Sequence, residues 1–198
     1  MTRRIARVTL PPLGIAVVGI ALSLVGVGAG QQQAGAPTQS VVGQSVTRLS
    51  DGRWLVIGGS RADGPIKEIV TVEGVPGSEP VARIETALAD GRAWHAATVL
   101  SDGRVLVTGG VGADRKAVTT AEVFDPQTGV VELIPWSGTA RAHHSATLLR
   151  DGRVLVVGGV SAEGAAIASV ELFDPTTLQV RALEGSLVAP RQDHTATL

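Results

Sequence analysis

The stretch RAHHSATLLRDGRVLVVGG at residues 141–159 has a near copy, RAWHAATVLSDGRVLVTGG, at 92–110 and a worn one, GQSVTRLSDGRWLVIGG, at 43–59. A fourth copy opens at residue 191 as RQDHTATL. Equivalent positions keep a steady spacing: Asp51, Asp102 and Asp151 are 51 and 49 apart, and His95, His144 and His194 are 49 and 50 apart. A diglycine closes the apolar run each time, at Gly58-Gly59, Gly109-Gly110 and Gly158-Gly159. A unit of this length cannot bury a core alone, so the repeat constrains the fold to modules that stack on one another.

Each segment of the repeat has a local physical reason. HSATLL alternates polar and apolar residues, as a partly buried strand does. Asp151-Gly152 follows as a pair tolerant of positive φ, which suggests a tight hairpin turn between right-twisted strands. RVLVVGG is β-branched and leucine-rich, too short for a helix, and apolar on both faces, so something must cover it on both sides. AEVFDPQTGVVEL and SVELFDPTTLQVRAL then each read as strand, turn and strand, with Pro126 and Pro175 presetting φ and Asp125 and Asp174 accepting turn amides. Gly129 suits the left-handed end of its loop. Leu178 stands there in the next copy, and this mismatch predicts a differently shaped loop. Four strands joined by hairpins make one antiparallel sheet per repeat.

The run AR..H.ATLL.DGRVLVVGG....A..S.ELFDP.T resembles the kelch repeats of exported bacterial proteins and the propeller portion of galactose oxidase relatives. The resemblance covers residues 43–198, most clearly from 92 onward. It implies an all-β fold, a partial β-propeller of four-stranded antiparallel blades. Kelch blades usually carry a Tyr in the third strand and a Trp in the fourth; here Phe124 and Phe173 replace the Tyr, and Val131 and Val180 fall at the Trp position. The first blade, about 43–91, is degenerate: Gln44 takes the His position and no FDP turn occurs, though Val70 to Val72 can form its third strand. Blades 92–140 and 141–190 follow, then the start of another at 191–198. Propellers typically close with about four to eight blades. The expectation is therefore a segment of a longer ring, with ring completion by several chains as the alternative.

The first 29 residues differ from the rest. Arg3, Arg4 and Arg7 precede an apolar run, and Val27-Gly28-Ala29 supplies small residues before the polar GQQQ. That order reads as a secretory signal cleaved near Ala29, with 30–42 as linker; an uncleaved membrane anchor is the other reading. Both place the propeller outside the cytoplasm, secreted or at the cell envelope. Cleavage removes three of the 17 basic residues and none of the 18 acidic ones, leaving 14 against 18. Only Arg115-Lys116 are adjacent basic residues in that remainder, so nucleic acid is not an expected partner. With no Cys there is no disulfide and no thiolate metal site.

The candidate binding residues are the repeated pairs Arg92 and His95, Arg141 and His144, and Arg191 and His194. Three imidazoles suit a metal, but only if all face the narrow channel; residues at one blade position lie in different blades. The favoured expectation is that each Arg and His bonds backbone or a neighbouring blade. His143, which is not repeated, reads as a solvent-facing neighbour. Asp51, Asp102 and Asp151 read as turn formers, and Glu122 and Glu171 as part of the repeat. The diglycines lack the Lys-Ser/Thr of a phosphate loop. Trp94 and Trp136 are unrepeated and either face solvent, open to a sugar ring, or fill the wedge between blades. No catalytic residue, metal or cofactor is assigned.

Two functions follow as expectations. The first is an exported interaction module for a protein or glycan. The second is the propeller part of a carbohydrate-active enzyme, galactose oxidase-like or sialic acid mutarotase-like, with catalytic residues outside this segment. A galactose oxidase copper site uses tyrosines, one cross-linked to a cysteine, and this chain has neither residue.

Overall fold

The computed structural model describes residues 5–7, 41–74 and 81–197. The rest of the segment read as a signal and most of the linker lie outside the described residues. A short strand β1 (Ile5–Arg7) precedes β2 (Ser45–Arg48) and β3 (Trp54–Ile57). The loop after β3 carries the two-residue strands β4 (Ser60–Arg61) and β5 (Gly64–Pro65), and the first sheet continues with β6 (Glu68–Glu73) and β7 (Val81–Ala87). The second sheet holds β8 (Ala96–Val99), β9 (Val105–Thr108), β10 (Ala121–Phe124) and β11 (Val131–Ile134). After β12 (Arg141–Ala142), the third holds β13 (Ser145–Leu148), β14 (Val154–Val157), β16 (Ser169–Asp174) and β17 (Gln179–Ser186), with β15 (Val160–Ser161) pairing β12.

Every principal strand pairs antiparallel with the next in sequence, so each repeat is one four-stranded meander. The first sheet gains β1 at its outer edge, Ile5 opposite Arg83 and Arg7 opposite Val81. These three residues fall in the stretch read as a signal, so a chain cleaved near Ala29 would present β7 as that edge. The first strands of the repeats, β2, β8 and β13, lie side by side. Successive sheets therefore radiate from a shared inner line and face one another. This is the arrangement of propeller blades.

Alternation along each strand builds the contacts between blades. Leu55, Ile57 and Ile69 of the first sheet meet Val105, Val107 and Phe124 of the second in one buried cluster. The opposite face of the second sheet sends Leu106, Ala121, Val123 and Ile134 against Val154, Val156 and Phe173 of the third. One apolar strand thus serves two cores, which is why RVLVVGG carries no polar alternation. Inner strands are also tied by hydroxyls: Thr98 Oγ1 donates to Ala146 O at 3.2 Å, and Thr147 Oγ1 to Ala196 O at 3.1 Å. Thr47, Thr98, Thr147 and Thr197 recur at one repeat position, a signal the sequence reading passed over.

Two turn expectations need correction. The DGR loops are not two-residue turns with both Asp and Gly left-handed. Gly52 N donates to Leu49 O and Leu49 N to Arg53 O; only Gly52, at φ 88°, is left-handed. The loop therefore has three residues, a turn followed by a glycine bulge. Asp51 accepts from Arg53 N at 3.0 Å, which fixes the aspartate without a positive φ. The second correction concerns Leu178, which adopts φ 58° beside 75° at Gly129. The two FDP loops thus share a shape. In each, the aspartate accepts from the amide two residues on, at 2.8 Å, and Asp174 opposes Gln179 as Asp125 opposes Val130. The closed loop and its flanking ladder outweigh the left-handed penalty of roughly 1–2 kcal/mol.

That strain is open to measurement. Gly129→Leu should lose about 1 kcal/mol, and Leu178→Asn should gain up to about 1 kcal/mol, because asparagine tolerates the left-handed region. Urea midpoints of the two variants against the parent check both signs.

Candidate functional site

The repeated residues sit where one blade hands over to the next. Arg92 precedes the second sheet, and its carbonyl accepts from Gly59 N of the first at 2.9 Å. Its guanidinium turns into the second sheet. Nη1 donates to Gly109 O and Thr120 O, and Nη2 to Thr120 Oγ1 and Glu122 Oε1, the last at 2.6 Å. Arg92 and Glu122 are 0% and 1% exposed. Glu122 Oε2 accepts from Ala89 N at 2.8 Å. Arg141 repeats the pattern: its carbonyl accepts from Gly110 N, and its guanidinium reaches Gly158 O, Ser169 and Glu171. Burial pushes both guanidinium groups below their ordinary range, and the adjacent glutamates oppose that shift. Arg191 keeps the backbone link, accepting from Gly159 N, while its side chain is exposed.

The histidines face back across the same seams. His95 Nε2 lies 2.8 Å from Ser45 Oγ, His144 Nε2 3.0 Å from Thr108 Oγ1, and His194 Nε2 3.0 Å from Ser145 Oγ. Each partner belongs to the preceding blade. Each ring also lies over the first glycine of that blade's diglycine: a Cβ on Gly58 would meet Arg92 O at 2.5 Å and His95 Cε1 at 3.0 Å. Histidine and diglycine recur together because one occupies the space the other leaves. Burial first, then the neighbouring arginine, pushes His95 and His144 down to about 3. Their Nδ1 atoms have no hydrogen-bond partner among the described residues, and at His95 the Arg92 backbone opposes the downward shift only in part. Among the described residues no group of three metal-ligating side chains forms.

A second row of residues runs along the same end of the blades. Gly43, Trp94, His143 and Asp193 occupy one repeat position, immediately before Gln44, His95, His144 and His194. All four backbones are left-handed, at φ 67°, 56°, 55° and 52°. Their amides link blade to blade: Trp94 N donates to Gly43 O, His143 N to Trp94 O and Asp193 N to His143 O, at 2.6, 2.9 and 3.0 Å. The side chains follow. Trp94 stacks on His143 with ring centroids 5.2 Å apart, and His143 Nδ1 meets Asp193 Oδ1 at 2.7 Å. His143, read as a solvent-facing neighbour, keeps 24% of its side chain exposed and also joins an interblade stack. The sequence signal that would have found the row is its fixed offset from the repeated His.

The two tryptophans part company. Trp94 lies in this row, but a Cβ on Gly43 would sit 2.9 Å from its indole, and His143 covers its other side. Trp136 tilts against Phe173 at 5.4 Å and packs on the core between the second and third sheets. Neither offers an open ring face. Arg115, at φ 61°, and Lys116 lie in the exposed loop after the second diglycine. The DGR aspartates sit at the opposite end of the blades, each paired with its own loop's arginine.

No family model and no curated protein matches this chain. Among solved structures, YjhT aligns with a TM-score of 0.66 at 17% identity, over 80% of this chain and 56% of YjhT. The chain thus spans little more than half the length of that neighbour. At this identity the likeness speaks of the fold alone. The fold is a kelch-like propeller.

Two outcomes follow from the seams. The unfolded chain takes a proton at His95 and His144 near pH 6.5, whereas the folded chain refuses it until about pH 3. Stability should therefore fall as pH drops through that window, by roughly 1 kcal/mol per histidine per pH unit. Urea titrations between pH 7 and 5 measure the slope, and H95Q/H144Q should flatten it. At the ion pair, Glu122→Val alone should cost about 3–5 kcal/mol by leaving Arg92 unpaired. The double variant R92V/E122V should recover most of that loss, and a double-mutant cycle of denaturation midpoints tests it. In the first blade Val41 and Val70 hold the two equivalent positions.

Proposed function

We propose that this chain is an exported propeller module that binds a protein or glycan at the end of the blades carrying the Trp94, His143 and Asp193 row. One observation carries the reading. Residues that build the seams repeat from blade to blade, whereas the row beside them changes from Gly to Trp to His to Asp on an unchanged backbone. A scaffold that holds geometry constant while varying the displayed side chain is suited to recognition. Non-glycine residues at a left-handed position cost about 1 kcal/mol or more each, and such strain clusters at functional sites. Export rests on the basic, apolar and small-residue order of the first 29 residues.

The binding test uses the whole chain against a glycan panel and against purified cell-envelope proteins. The variant H143A/D193A should lose at least about tenfold in affinity for whatever the parent retains, with its melting temperature little changed. Unchanged affinity would remove the row from the binding surface. Export is checked separately by sequencing the amino terminus of the protein recovered outside the cytoplasm, expected near Gly30. An intact Met1 on that material would instead favour the anchor.

A further inference from the structure

The chain holds five Asp-Gly pairs, at 51–52, 63–64, 90–91, 102–103 and 151–152, and no asparagine. Such a pair is prone to isomerise, because glycine has no Cβ to shield its amide from the preceding carboxyl group. The structure treats the five pairs differently. In the three DGR loops both reacting groups are held. Asp51, Asp102 and Asp151 accept from the amide two residues on at 3.0, 3.0 and 3.1 Å, and from the same arginine's Nε at 2.8, 2.7 and 2.9 Å. Gly52 N, Gly103 N and Gly152 N donate to Leu49 O, Leu100 O and Leu149 O, each at 3.0 Å.

Asp63 lies at the tip of the β4–β5 hairpin. The base of that hairpin is fixed: Val42 and Ser60 exchange both backbone bonds, and Ile66 N donates to Gly59 O at 2.7 Å. The tip is open. Asp63 is exposed, and a Cβ on Gly64 would meet nothing within 4 Å. Asp114 holds the same place in the next repeat and accepts from Lys116 N at 3.0 Å. Pro65 stands where Lys116 does and has no N–H to give. Asp90 is exposed too, but its glycine is wedged. Arg92 N donates to Ile66 O, and a Cβ on Gly91 would lie 2.5 Å from Pro65 O.

We infer that Asp63-Gly64 is a modification site, the bond at which this chain converts to isoaspartate. Gly64 N attacks Cγ of Asp63; the N–Cγ bond forms, and the carboxyl oxygen leaves as water with the amide proton. Water then adds to the main-chain carbonyl of the resulting succinimide and breaks its bond to Gly64 N. The chain now runs through Cβ and Cγ of residue 63 and carries a free α-carboxylate. Water lost in the first step returns in the second, so the product is an isomer. The DGR pairs resist because closing the ring there requires breaking charge-assisted bonds first.

The test ages the whole chain at neutral pH, digests it with trypsin and labels isoaspartate in each peptide with an isoaspartyl methyltransferase. Cleavage at Arg61, Lys67, Arg83 and Arg92 places Asp63 and Asp90 on separate peptides. Asp63 should gain label at least about tenfold faster than Asp51, Asp90 or Asp102. That lead should vanish in denaturant, because the fold creates it. Pro65→Lys supplies the missing amide and should slow Asp63 by about tenfold, and Asp63→Glu should remove its label with the melting temperature unchanged. A DGR or Asp90 peptide labelled as fast as Asp63, a lead that persists in denaturant, or an unchanged rate in folded P65K would overturn the inference.

Discussion

A sheet that is apolar on both faces cannot stand in water alone, and that constraint governs the whole molecule. Leu106 and Val105 are adjacent in one strand, yet they belong to different cores, one toward the third sheet and one toward the first. Each blade is completed only by its neighbours. Apolar contact is non-directional, however, and two greasy sheets can slide or rotate against each other. The polar residues of the repeat remove that freedom. Arg92 holds the first blade through its carbonyl and the second through its guanidinium, while His95 returns to Ser45 of the first. The seam is thereby fixed in register at its end, where the apolar cores cannot fix it.

A buried arginine–glutamate pair is a weak source of net stability, because taking both charges out of water offsets much of their attraction. Its presence at two seams is better understood as a positional device. Arg92 makes contacts to Gly109 O, Thr120 and Glu122 at once, and these converge only if the diglycine turn and the third strand are both in place. The first blade lacks both members of the pair, with Val41 and Val70 at their positions. Losing both together leaves no orphaned charge.

The architecture was legible in the sequence because its causes recur. Diglycine, histidine and arginine repeat in phase since each fills or leaves space for another across the seam. Local turn chemistry was less legible. Leu178 adopts the conformation expected of glycine because a loop closed by Asp174 and an antiparallel ladder outweighs one unfavourable φ. The Asp-Gly pairs gave the location of the first hairpin but not its length, which the aspartate's bond to the Arg53 amide decides. The row of Gly43, Trp94, His143 and Asp193 was hidden for the opposite reason. Its residues share no chemistry, so only their distance from the repeated position relates them.

That row also shows how one scaffold carries both repetition and individuality. Its backbone bonds pass from blade to blade as the seam bonds do, so each displayed side chain is held as firmly as a structural one. Glycine at position 43 is the relaxed solution for such a backbone, and the indole of Trp94 fills the space its missing Cβ leaves. Trp94 in turn supports His143, and His143 orients Asp193. Contacts therefore pass along the row from Gly43 to Asp193, and Gly43, Trp94 and His143 are all half-buried. The inner members act as a foundation. The indole and the imidazole are thereby held where the blades already fix the backbone.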